Sequence, residues 1–174
     1  KSNILTCHLC DLNKSRTQSM IGFGDENADI MIVDYSVSQN EDEQNSYFIG
    51  RSGEMLKNMC QNVLNLKIED IYFTHSIKCK PLNANEPSSS EANSCKTYLL
   101  AQIEFIKPKI IITLGLNAYE NLTNDIGNFE NVRGHLCDFK EYKLVPIYHP
   151  NYLLRNPELK KTTLNDLKTI KRYI

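Results

Sequence analysis

The stretch PKIIITLG, residues 108–115, decides the fold. Pro108 stops any helix arriving from the N-terminal side. Lys109–Leu114 is a short, β-branched apolar run of the kind that parallel strands show when both faces are buried. Gly115 then opens a short helix reaching about Leu122. Working outward, Ala28–Val33 (ADIMIV) and Ile71–Ile77 (IYFTHSI) read as two earlier strands, and Leu144–Tyr148 as a fourth. Met55, Leu56, Met59, Cys60, Val63 and Leu64 follow helical spacing, so Ser52–Leu66 is an expected amphipathic helix. After a loop at Pro87, Ser88 and Glu91 have capping-box spacing and start a helix running to about Ile106. Leu159–Tyr173 is a basic closing helix. Alternating strands and helices predict an α/β chain: one three-layer α/β/α domain over residues 1–174 with a central, mostly parallel four-stranded sheet. Such sheets bind ligands at the carboxyl ends of their strands, so the loops after Val33, Ile77, Leu114 and Tyr148 are the ones to search.

Composition excludes several classes. The 174 residues are 41% hydrophobic, enough for a core, and hold no apolar run of about 18 residues, so no membrane span is expected. The 20 basic and 21 acidic residues nearly cancel, but they are unevenly placed. Residues 25–43 hold seven acids and no Lys or Arg, whereas residues 151–174 hold six bases against Glu158 and Asp166. A near-neutral sum is therefore no argument against nucleic acid. Six cysteines are too sparse for a disulfide scaffold and point to a reducing cytoplasm. Cys7 and Cys10 form a C-x-x-C, followed by Cys79 and Cys95. Four thiolates suit either a tetrahedral zinc or an iron–sulfur cluster; alternatively Cys79 and Cys95 are core residues and Cys7–Cys10 a lone knuckle or redox pair.

Several stretches, in order, resemble the iron–sulfur (family 4) uracil-DNA glycosylases. Residues 47–56 (YFIGRSGEML) look like that family's P-F-V-G-x-A-G-x-L-L, and residues 74–81 (THSIKCKP) like its T-N-x-x-K-C-R-P. Glu91, Cys95, Leu99, Gln102, Ile103, Pro108 and Lys109 fall on E-x-x-x-C-x-x-x-L-x-x-Q-I-x-x-x-x-P-K. Leu114, Gly115 and Ala118 match L-G-x-x-A, Arg133-Gly134 match R-G, and residues 149–155 (HPNYLLR) are close to H-P-x-x-L-L-R.

The resemblance implies that Cys7, Cys10, Cys79 and Cys95 hold a structural [4Fe-4S] cluster rather than zinc. It implies DNA, single- or double-stranded, as the partner of a monomer that flips a base into a pocket. Phe48 would stack on that base, and His149 would contact it and support the leaving group. Leu153 or Leu154 would fill the vacated stack, and Arg155, Lys160 and Lys161 would meet phosphates. Two departures stand out. Asp34-Tyr35-Ser36-Val37-Ser38 replaces the family's G-E-A-P-G, so Tyr35 stands at the water-positioning acid and, with Ser36, beside the base. Asp34, or Asp42 of the retained Glu41-Asp42 pair, is then the candidate for orienting water. His75 stands where the family has the Asn that reads uracil's edge. The expected function is hydrolysis of uracil or another damaged base from DNA. The alternative is a catalytically altered or inactive iron–sulfur DNA-binding member.

Overall fold

The computed structural model describes residues 2–82 and 86–174. Four apolar runs form β2 (Ile30–Ser36), β3 (Tyr72–Ile77), β4 (Ile110–Leu114) and β6 (Tyr142–Ile147), hydrogen-bonded in parallel in the order β3-β2-β4-β6. The sheet is nevertheless six-stranded and mixed, not four-stranded and mostly parallel. β1 (Phe23–Gly24) and β5 (Cys137–Phe139) add antiparallel edges beside β3 and β6. Two and three residues are too few to leave an alternating pattern, which is why the sequence hides them. Pro146 is tolerated inside β6 because β5 ends its pairing at Leu144, and beyond it the Gly134 N–H needs only the Pro146 carbonyl.

Side chains alternate across the parallel strands and fill both faces. Ile30, Ile32, Ile110, Ile112, Val145 and Ile147 pack against α3 (Gly50–Asn58), its continuation as a π-helix over Met59–Leu64, and α8 (Lys160–Ile170). Met31, Val33, Ile111 and Leu144 pack against α4 (Ser89–Ile106), α5 (Gly115–Thr123) and α6 (Phe129–Val132). Each fully buried isoleucine contributes about 1.5–3 kcal/mol. The capping box at Ser88 and Glu91 forms as the sequence predicts. A second one, Ser38 with Glu41, starts α2 (Gln39–Gln44). The remaining helices are α1 (Ser2–Leu5) and α7 (Pro150–Arg155). Among the described residues no helix is long and apolar enough to cross a membrane.

The chain moves from β2 to β3 on one side and then crosses to β4 on the other. The resulting switch point lies between the carboxyl ends of β2 and β4, beside Asp34 and Gly115. Here the crossovers diverge and leave a crevice.

Candidate active site

Asp34 closes the apolar part of β2 and meets His149, which follows β6 and caps α7. His149 Nε2 lies 3.1 Å from both carboxylate oxygens of Asp34. On the other side of the ring, Nδ1 accepts the Asn151 backbone N–H at 2.9 Å. With its lone pair so engaged, Nδ1 carries no proton, and Nε2–H donates to Asp34. Burial works against charge on either partner. For Asp34 it is outweighed by the pairing with His149, assisted by His75 and by the Tyr35 N–H, so the carboxyl is held below its ordinary range. For His149 the Asp34 charge and hydrogen bond outweigh burial and raise the ring's affinity for a second proton, a step that would displace Asn151 from Nδ1. Gly115, at φ +80°, lets α5 start against this histidine: a Cβ there would stand 3.0 Å from His149 Cβ.

Asp34 and His149 border a cavity of about 390 Å³ whose apolar walls include Phe48, Phe73, Leu56 and Leu114. Phe48 is buried in the left-handed region at φ +60°, a conformation an aromatic residue holds only when its surroundings enforce it. Gly53 is part of that enforcement. Its ideal Cβ would lie 2.0 Å from the Phe48 carbonyl carbon, so only glycine lets α3 pack there. The rings of Phe48 and Phe73 lie 4.7 Å apart.

His75 is placed differently from its expected role at the base edge. It is fully buried, stacked on Tyr47 at 5.9 Å and edge-on to Phe73 at 5.2 Å, and it lines neither this cavity nor the larger one beside it. Glu41 Oε1 stands 3.4 Å from its Nε2, too long and poorly aligned for a good hydrogen bond, and among the described residues neither ring nitrogen finds another partner. Glu41 itself borders the cavity. Burial pushes its carboxyl up, but His75 and the Ser38 N–H and Oγ–H prevail and hold it low.

Asp42, the other acid of this pair, points away: both its oxygens accept the Thr17 N–H, at 2.9 and 3.0 Å, and it lines neither cavity. Of the Glu41-Asp42 pair, the acid that borders the cavity is therefore Glu41 and not the expected Asp42. The signal was present as S-x-x-E over residues 38–41, which turns Glu41 toward its cap and leaves Asp42 on another face.

Tyr35 also departs from expectation. Adjacent residues of a strand point to opposite sides, so Tyr35 lines the adjoining groove of about 720 Å³ and not the cavity of Phe48. Ser36 borders both. Leu153 is wholly buried in the core and is unavailable as a wedge, whereas Leu154 lies on the cavity rim. Arg155 lines the groove, and Lys160 and Lys161 are exposed at the start of α8.

Cys7, Cys10, Cys79 and Cys95 come together around a third, small cavity beyond β3. Arg16 Nη1 donates to Cys79 Sγ at 3.1 Å, the Lys78 N–H to Cys95 Sγ at 3.3 Å, and the Leu9 N–H to Cys7 Sγ at 3.5 Å. Burial raises the Cys79 thiol to about 11 and also raises Cys10 and Cys95. Lys78 is fully buried here, which lowers its pKa to about 7, and its Nζ donates to Thr74 Oγ1 at 2.6 Å and to the His75 carbonyl and Gln102 Oε1. Among the described residues, no three Cys, His, Asp or Glu stand close enough to hold a single metal ion.

The family model of the uracil DNA glycosylase superfamily matches residues 21–168. A type-4 uracil-DNA glycosylase of Sulfurisphaera tokodaii is 33% identical over 179 residues, covering 98% of this chain and 81% of the relative. One from Archaeoglobus fulgidus is 33% identical over 96% of this chain and 87% of its own. A DNA polymerase of Bacillus phage SP01 is 30% identical over 91% of this chain, which corresponds to only 17% of the polymerase. The chain therefore belongs to the uracil DNA glycosylase superfamily, alongside its type-4 members.

Proposed function

We propose that residues 1–174 act as one DNA-repair glycosylase unit that hydrolyses the N-glycosidic bond of uracil, or of a related damaged base, flipped out of DNA. The observation that carries this reading is the His149–Asp34 pair at the mouth of an aromatic-walled cavity, its donor and acceptor fixed by Asn151. An unpaired base enters the cavity and stacks on Phe48. His149 then transfers its Nε2–H hydrogen bond from Asp34 to the base oxygen that gains charge as the bond to C1′ breaks. Asp34, freed and ionised, orients a water toward C1′ and accepts its proton as the new C1′–O bond forms, and the base departs as an anion. Leu154 fills the vacated position in the stack, and Arg155, Lys160 and Lys161 meet phosphates, which makes binding salt-dependent.

The four cysteines fit a [4Fe-4S] cluster better than zinc. Tetrahedral zinc needs sulfurs about 2.3 Å from one ion, whereas a cluster interposes its iron–sulfide core between thiolates that share a cavity. The N–H donors of Arg16, Lys78 and Leu9 are those that stabilise such thiolates. When bound, the cluster supplies structure, tying the N-terminal segment to β3 and α4.

The test is incubation with oligonucleotides carrying uracil, hypoxanthine or a thymine mismatch. Alkali-sensitive strand cleavage with at least one of them, abolished in His149→Ala, is expected. Binding without abasic sites in all of them instead favours the non-catalytic DNA-binding reading.

A further inference from the structure

We propose that the groove beside the base cavity is a second nucleobase site, which holds the unpaired neighbour of the flipped nucleotide on the same strand. The inference rests on the reading of the smaller cavity as the base pocket. The two spaces adjoin, with Asp34, Ser36 and His149 lining both, so the groove lies next to a base placed in the cavity, within reach of the adjacent nucleotide of the same strand. At about 720 Å³ the groove has room for a base with its sugar.

Its chemistry selects a base over a phosphate. Tyr35 enters from the end of β2, and Tyr148 and Tyr152 from the other side. Tyr148 is held in place, with Arg133 lying over its ring at 4.6 Å and its hydroxyl donating to Glu130 at 2.7 Å. Tyr152 lies 5.4 Å from Tyr148 and is 43% exposed, which leaves ring surface free for stacking. The groove's carboxylates, among them Glu86 and Glu120, repel phosphates but accept hydrogen bonds from exocyclic amino groups. Arg155 lines the same groove and can neutralise the phosphate linking the two nucleotides. Aromatic stacking tolerates any base, so the stack orders the strand whatever its sequence, and the carboxylates add a hydrogen bond only where the base carries an amino group.

The experiment measures binding of fluorescent single strands carrying 2′-fluoro-2′-deoxyuridine, whose electron-poor sugar resists cleavage. A tetrahydrofuran abasic nucleotide is placed on one flank or the other. Removing the neighbouring base on one side should weaken wild-type binding roughly tenfold, the scale of one base–aromatic stack, and removing it on the other side should do little. Tyr152→Ala should bind the intact strand roughly tenfold more weakly and lose the dependence on that flank, while Tyr152→Phe keeps both. Equal affinity for all three strands, or undiminished flank dependence in Tyr152→Ala, overturns the proposal. Cleavage of ordinary deoxyuridine is scored separately: its failure with flank dependence intact refutes the excision reading and leaves the second site standing.

Discussion

The site holds two histidine–carboxylate pairs side by side, built on neighbouring strands whose residues Asp34 and His75 face each other in register. In the first, His149 and Asp34 meet at 3.1 Å, their side chains 25% and 16% exposed, with the tautomer set by Asn151. In the second, His75 is fully enclosed between Tyr47 and Phe73, and Glu41 stands off at 3.4 Å. The chemistry of the two pairs is alike; their access is not. Only the first can exchange its partner for a substrate atom and a water, because only its histidine borders the cavity. The second braces the wall on which a base would stack.

The largest expected effect falls on the open pair. Asp34→Asn keeps an acceptor for His149 but cannot take a proton from water, so single-turnover excision should slow by about 10²–10⁴-fold with little change in DNA affinity. His75→Phe, by contrast, preserves the ring and its packing. It should leave excision near the wild-type rate and stability within about 1 kcal/mol of wild type, read by denaturant unfolding, because His75 has no well-formed hydrogen bond to lose. A large loss of excision in His75→Phe would erase the distinction between the pairs.

The leucines of α7 sharpen the same contrast between wall and opening. Leu153→Ala should cost about 2–5 kcal/mol of stability as a fully buried residue. Leu154→Ala should melt near wild type yet bind uracil-containing duplex more weakly.

The smallest effect is a pH dependence. Asp34 and Glu41 both have folded-state pKa values below the ordinary carboxylate range. The unfolded chain therefore takes up their protons first, and their stabilisation is full above the unfolded value of about 4. It is lost as pH falls through the depressed folded values. The Tm difference between wild type and Asp34→Asn should accordingly be constant near neutrality and shrink in acid.

These pairs also show how much of the site can be read from sequence. The four parallel strands were legible as short apolar runs or, for Ile71–Ile77, as a β-branched and aromatic one, and α4 because Ser88 and Glu91 mark its start. Asp34 and His149 were legible as candidates because the family resemblance places them in its water-positioning loop and its H-P-x-x-L-L-R stretch, both in loops after strands of such a sheet. Their bond, joining residues 115 positions apart, was not. Glu41 could have been chosen over Asp42 from its capping-box spacing to Ser38, but choosing Leu154 over Leu153 requires the phase of a helix only six residues long, too short for periodicity to show. The burial of His75 depends on Tyr47 and Phe73 closing around it, a tertiary fact with no local pattern. The aromatic groove escaped notice because Tyr35, Tyr148 and Tyr152 come from separate segments.

The central claim is that His149 and Asp34 work as one unit. It is tested most directly by single-turnover uracil excision in Asp34→Asn, His149→Ala and the double variant. The account predicts that the double variant is scarcely slower than the slower single one, because each single change already disables the pair. Losses that multiply, or a His149→Ala protein that excises at the wild-type rate, would contradict it.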